Sequence, residues 1–106
     1  MQYIQQKQYN SFTFTLTNCD GSAMDLSDAT VKFIVKKTRN TPDSDAVLTG
    51  QFVNPDTNIL MYEFDATETN IAEGQYVMGL KIFKSDDKNE EVFSDDVKVV
   101  KGVFNE

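Results

Sequence analysis

The sequence predicts an all-β fold, an immunoglobulin-like β-sandwich of about seven strands, in a single domain over residues 1–106. Three observations favour this class. Apolar and polar residues alternate with a period of two, aromatic residues are abundant (eight Phe and four Tyr), and turn-forming residues separate the alternating segments. A period of two places one face of a segment in a core and the other in solvent, as in a half-buried strand.

Alternation and turn residues together place the individual strands. We predict strands at residues 11–17, 30–37, 59–64, 75–84 and 91–103, with two short pieces, 47–49 and 51–53, on either side of Gly50. Asp-Gly at residues 20–21, Asn-Pro-Asp at 54–56 and the polar run 85–89 supply the turns. The alternation of the last segment changes phase between Phe93 and Val97, which predicts a bulge or a strand that switches sheets.

A helical turn followed by a tyrosine indicates the immunoglobulin-like class more specifically. Asp65 and Glu68 have the spacing of a capping box, so one short helical turn is expected before the strand that contains Tyr76. In these sandwiches a tyrosine at this place bonds back to the upstream backbone, and a disulfide cysteine follows two residues later. Met78 takes that second place. The alternative is that Tyr76 is only a core aromatic residue.

Composition excludes several functional classes. The net charge of −7 disfavours nucleic-acid binding, and no apolar stretch is long enough for a membrane span. The absence of histidine removes histidine-dependent catalysis and most zinc sites, and Cys19 lies in an acidic turn. We therefore expect no enzyme activity, no catalytic or metal-binding residues and no cofactor. The acidic pairs have no EF-hand spacing, so a calcium site is the less favoured interpretation.

Two groups of residues are candidates for contact with a partner. Lys32, Lys36, Lys37 and Arg39 form a basic cluster, which we interpret first as a guard on an edge strand and second as a docking patch for an acidic neighbour. Five apolar residues fall on the face opposite the predicted core: Ile34, Ile59, Met61, Val77 and Phe83. Such residues mark an interface only if the fold clusters them.

Residues 12–36 also carry a sequence pattern. An F-x-F-x-L strand and an Asp-Gly turn are followed by D-L-S-D-A-T-V-K-F-I-V, and Glu-Gly-Gln-Tyr at 73–76 precedes the long strand. Over about residues 9–100 the chain resembles the N-terminal domain of phage baseplate upper proteins and related immunoglobulin-like domains of tailed-phage virions. The resemblance implies a sandwich that docks onto a phage particle.

The resemblance implies a structural protein of the virion, synthesised in the cytoplasm of a bacterial host. Because the sequence ends at Glu106, we expect an accessory role. Decoration of the capsid is favoured, with a baseplate or tail component next, so the expected partners are the major capsid protein or baseplate and tail proteins. A carbohydrate-binding or adhesion module is the alternative. The predicted docking residues are Tyr3, Ile4, Ile34, Lys36, Val77 and Phe83.

Overall fold

The computed structural model describes residues 1–84 and 89–101, which form seven strands and one short 3₁₀-helix. The strands are β1 (Gln2–Gln6), β2 (Asn10–Thr15), β3 (Ala29–Lys36), β4 (Leu48–Val53), β5 (Ile59–Phe64), β6 (Gly74–Lys84) and β7 (Glu90–Lys101). The 3₁₀-helix, which the sequence did not predict, covers Asp43–Asp45 between β3 and β4. No helix within the described residues is long and apolar enough to cross a membrane.

The strands form two sheets. A five-stranded sheet has the order β1-β7-β6-β3-β4, and β2 pairs with β5 in a second sheet. β1 runs parallel to β7, whereas the other pairs are antiparallel. The predicted all-β, immunoglobulin-like sandwich of seven strands is confirmed.

The core lies between the sheets, and Phe33 is at its centre. Its side chain is fully buried on β3. It stacks on Phe12 of β2, with ring centroids 5.3 Å apart, and on Tyr62 of β5, with centroids 5.2 Å apart. Val31 and Val35 flank it and are equally buried. This inward set follows from the pleat, which alternates side chains between the two faces of a strand.

The segment between β5 and β6 forms the predicted corner. The Glu68 N–H donates to Asp65 Oδ1 at 2.8 Å, and the Asp65 N–H donates to Glu68 Oε1 at 3.0 Å, which is a capping box. The Thr69 N–H donates to the Asp65 carbonyl, so the predicted helical turn is one hydrogen-bonded turn. The Tyr76 hydroxyl donates to the Ala72 carbonyl at 2.7 Å, as a tyrosine corner requires. Met78 is buried in the core.

Replacing Tyr76 by phenylalanine is expected to lower the free energy of unfolding by about 1 kcal/mol, because it removes one hydrogen bond and keeps the ring. Urea unfolding followed by circular dichroism measures the change. Tyr3→Phe is the control, because Tyr3 is exposed. A Tyr76→Phe variant as stable as the wild type would show that the hydrogen bond of the corner does not stabilise this fold.

Two details of the predicted strands differ from the structure, and two predicted segments extend beyond the described residues. The pieces on either side of Gly50 are one strand, β4, because the glycine packs under Tyr62 without interrupting the pairing. The bulge comes earlier than predicted: Leu80 pairs with Phe93 and Lys81 with Glu91, which leaves Val92 as the extra residue. Residues 85–88 of the predicted turn and 102–103 of the predicted last strand lie outside the described residues.

Candidate functional site

A groove of about 190 Å³ lies on the outer face of the five-stranded sheet, over β3 and β6. We call it the β3–β6 groove. Its apolar lining comes from Ile34, Val77 and Phe83, which point away from the core because neighbouring strand residues alternate between faces. Ile34 lies opposite Gly79 of β6. Gly79 has no side chain, and a Cβ there would lie 3.5 Å from Glu91 Oε1 and 3.8 Å from the Phe93 carbonyl oxygen.

The charged lining of the groove is predominantly basic. Four of the ten basic residues of the chain line it, together with two acidic residues: Lys32, Lys36, Arg39, Lys81, Asp43 and Glu91. The chain as a whole has a net charge of −7. A local excess of positive charge on an acidic protein attracts and orients anionic partners.

One of these basic residues is already paired within the chain. Lys36 Nζ lies 2.9 Å from Asp43 Oδ1 and donates to the Thr41 carbonyl at 2.9 Å. The hydrogen bond from Lys36, and then its charge, hold the pKa of Asp43 below its usual value. Lys36 therefore fixes the 3₁₀-helix against β3. Its role in the groove is to shape the wall more than to supply free charge.

The other three cations are available to a partner. Lys32, Arg39 and Lys81 form no ion pair with any carboxylate in residues 1–84 and 89–101. Lys81 Nζ lies 5.0 Å from the centre of the Phe83 ring, so this cation is held above an apolar surface. The groove thus combines an excess of positive charge with half-buried apolar side chains.

The structure brings together four of the six predicted docking residues. Ile34, Lys36, Val77 and Phe83 all line the β3–β6 groove. Tyr3 is exposed on β1, separated from β6 by β7, so it lies outside the groove.

The prediction that Ile4 contacts a partner is wrong for this fold. Its side chain is completely buried, opposite the buried Val99 of β7. The physical reason is the pleat of β1: with Tyr3 directed to solvent, the next side chain must enter the core.

The interpretation of the basic cluster as a guard on an edge strand is also wrong. β3 pairs with β4 on one side and β6 on the other, so Lys32 and Lys36 do not guard an edge. Lys37 does not line the groove, because its Nζ lies over the Tyr76 ring, 4.6 Å from the ring centroid. Lys81 of β6 takes its place beside the groove.

Gly79, Lys81 and Glu91 also line the groove, although the sequence patterns did not predict them as site residues. The alternation of residues 75–84 already placed Gly79 and Lys81 on the same face as Val77 and Phe83. The missing information was that β6 is the neighbour of β3, which no local pattern contains.

The remaining outward-facing apolar residues belong to a different surface. Ile59 and Met61 are about half exposed on β5, on the outer face of the two-stranded sheet. They face Thr15 and Thr13 of β2, so no charged residue lies directly opposite them. The five apolar residues therefore divide between the two sheets, and the groove holds three of them.

Comparisons with known proteins inform the fold. Scans against protein-family models and curated proteins give no match. Among solved structures, the chain is similar to the crystal structure of the PmoD soluble domain from Methylocystis sp. (Rockwell), with a TM-score of 0.59 and 12% sequence identity. The similarity covers 92% of this chain and 77% of that one. At this identity the likeness concerns the β-sandwich fold alone.

Proposed function

We propose that this chain is a non-enzymatic docking domain of a tailed-bacteriophage virion, and that it attaches to another virion protein through the β3–β6 groove. The observation that carries the docking role is the cluster of half-buried apolar side chains beside cations that form no ion pair within the described residues, on an otherwise acidic protein. The resemblance of residues 12–36 to virion domains supports the setting. A decoration role on the capsid exterior comes first and a baseplate or tail role second.

The dimensions of the groove favour a protein partner over a small molecule. Its volume of about 190 Å³ is below the range of roughly 300–1,000 Å³ that is typical of small-molecule sites. An apolar centre with a charged rim is the usual composition of a protein interface. In the groove, Ile34 and Val77 supply apolar lining, and Lys32 and Arg39 supply charge.

The experiment has two steps. Mass spectrometry of purified virions of the phage that encodes the chain first establishes whether the protein is present. Recombinant protein is then sedimented with purified capsids and, separately, with purified tails. Sedimentation with capsids supports the decoration role, and sedimentation with tails supports the baseplate or tail role. Absence from virions together with failure to bind either particle contradicts the proposal.

Attachment through the groove is expected to depend on salt. Raising the ionic strength from about 0.1 M to about 1 M shortens the Debye length from about 10 Å to about 3 Å. Attraction to Lys32, Arg39 and Lys81 is then screened, and the affinity for particles should fall several-fold. Sedimentation over a salt series measures the change. An affinity that rises with salt would indicate that apolar contacts dominate and that the cations contribute nothing.

A carbohydrate-binding or adhesion module is the second candidate, because two tyrosines are exposed. Tyr3 and Tyr9 are each about 60% exposed, and an exposed aromatic ring presents an apolar face to a ligand. The Tyr9 hydroxyl donates to a Glu63 carboxylate oxygen, which fixes that ring. Glycan-array binding that is lost in Tyr3→Ala or Tyr9→Ala favours this candidate. An array without hits removes it.

A further inference from the structure

Gly79 is the residue of the groove that the fold itself does not explain. Gly21 and Gly74 adopt positive φ, which other residues rarely do, and a Cβ on Gly50 would lie 2.7 Å from the Tyr62 ring. Gly79 has neither constraint. It lies inside β6 without positive φ, and a Cβ there would meet its nearest atom, Glu91 Oε1, at 3.5 Å, an ordinary contact.

Glycine inside a strand costs stability, so its presence at this position needs a reason. A bulge is one common reason, but the extra residue of the nearby bulge is Val92 of β7. Gly79 itself keeps regular pairing with Ser94 on one side and Ile34 on the other. The other reasons for a strand glycine are a tight bend of the sheet and the close approach of another molecule to the backbone, and the charged and apolar lining around Gly79 favours the second.

We infer that the β3–β6 groove binds an extended, acidic segment of a partner protein, whose main chain passes directly over Gly79. An apolar side chain of that segment packs on Ile34, Val77 and Phe83. Its carboxylates meet Lys32, Arg39 and Lys81, which form no ion pair among the residues that the structure describes. This inference rests on the proposed docking role and names the chemistry of the partner.

The lining favours a polypeptide over a nucleic acid as the anionic partner. A nucleic acid presents a dense row of phosphates, which a chain of net charge −7 repels more strongly than it repels a few carboxylates. Asp43 and Glu91 within the lining would add to that repulsion. Toward a peptide, the same two carboxylates are acceptors for backbone N–H groups, and the apolar lining accepts a side chain.

The test is an amide chemical-shift titration of the ¹⁵N-labelled full chain with end-capped peptides. The probe has the sequence Asp-Asp-Leu-Asp-Asp. The comparison probes are Lys-Lys-Leu-Lys-Lys and a thymidine decanucleotide. We expect the acidic peptide to shift resonances of β3 and β6 around Ile34 and Gly79, with no comparable effect of the basic peptide. Shifts confined to other surfaces, or stronger groove binding by the oligonucleotide, would overturn the inference.

The decisive variant is Gly79→Val, which places a side chain where the peptide backbone is inferred to pass. Valine suits a strand and a Cβ fits here, so the variant should fold. Its affinity for the acidic peptide is expected to fall about tenfold or more. Gln75→Val is the matched control, because it changes an exposed residue on the same strand outside the groove. Equal affinities of the Gly79→Val and Gln75→Val variants would overturn the inference.

A charge-reversed variant keeps the inference testable if Gly79→Val does not fold. Lys32→Glu should lower the affinity for the acidic peptide, whereas Lys101→Glu, at the end of β7, should not. Unchanged affinity in the Lys32→Glu variant would overturn the inference.

The virion role of the chain and the peptide specificity of the groove can be contradicted separately. Peptide binding in the groove without the protein in virions would remove the virion role and keep the groove specificity. If the Gly79→Val variant attaches to particles as well as the wild type does, the virion role is kept and the groove specificity is removed.

Discussion

Phe33→Ala is expected to lower the free energy of unfolding by about 3–5 kcal/mol, the range for truncating a fully buried aromatic residue. Phe33 is completely buried on β3, and it is in ring contact with four aromatic residues of the opposite sheet: Phe12, Phe14, Tyr62 and Phe64. Removing the ring therefore leaves a cavity where the two sheets meet. Domains are typically stable by about 5–15 kcal/mol, so this loss is a large fraction of the total.

Urea unfolding followed by circular dichroism measures the effect of Phe33→Ala. Phe83→Ala is the matched control, because it removes the same side chain from the outer face of the sheet, where it is half-buried. The control should lose much less stability. Similar losses in the two variants would contradict a core centred on Phe33.

Gly50→Ala is expected to lower the free energy of unfolding by about 1–3 kcal/mol through overpacking. The added Cβ would lie 2.7 Å from Tyr62 Cδ1, far inside an ordinary contact. The ring has little freedom to move, because the Tyr62 hydroxyl donates to the buried Val31 carbonyl at 2.9 Å and Phe52 packs edge-on, with centroids 5.0 Å apart. Burial also raises the pKa of Tyr62, so the hydroxyl stays protonated as a donor.

Gly79→Ala is the control for Gly50→Ala. Both glycines lie inside strands that pair with β3, but only the Cβ at position 50 meets an obstacle. A glycine in a strand loses more conformational entropy on folding than an alanine does, which costs roughly 0.5–1 kcal/mol of stability. Gly79→Ala should therefore be neutral or stabilising. Thermal unfolding of the two variants distinguishes them. A loss of stability at position 79 as large as at position 50 would contradict the distinction between the two glycines.

Features fixed by local chemistry were predictable from the sequence. The alternation placed Phe33 in the core and Ile34 on the outer face, and the spacing of Asp65 and Glu68 identified the capping box. The corner contact of Tyr76 also follows from a local pattern, a turn followed by a strand. These features depend on residues near each other in the chain, so the sequence contains them directly.

Features that depend on strand order were not predictable from one sequence. Lys32 was interpreted as an edge guard because the position of β3 between β4 and β6 is set by contacts distant in sequence. The same information was needed to join Lys81 and Gly79 to Ile34 in one groove. The short polar β1 left open which of its side chains faces the core, and Ile4 was therefore misassigned.

The charge of the β3–β6 groove is expected to attach this domain to a virion particle. Two double charge reversals that alter the net charge equally test this attachment. Lys32→Glu with Lys81→Glu changes the groove, whereas Lys7→Glu with Lys101→Glu changes exposed residues that do not line it. The measurement is the fraction of each variant that sediments with whichever purified particle, capsid or tail, binds the wild type. Loss of attachment in the groove variant alone is the predicted result, and equal attachment of both variants would contradict attachment through the groove.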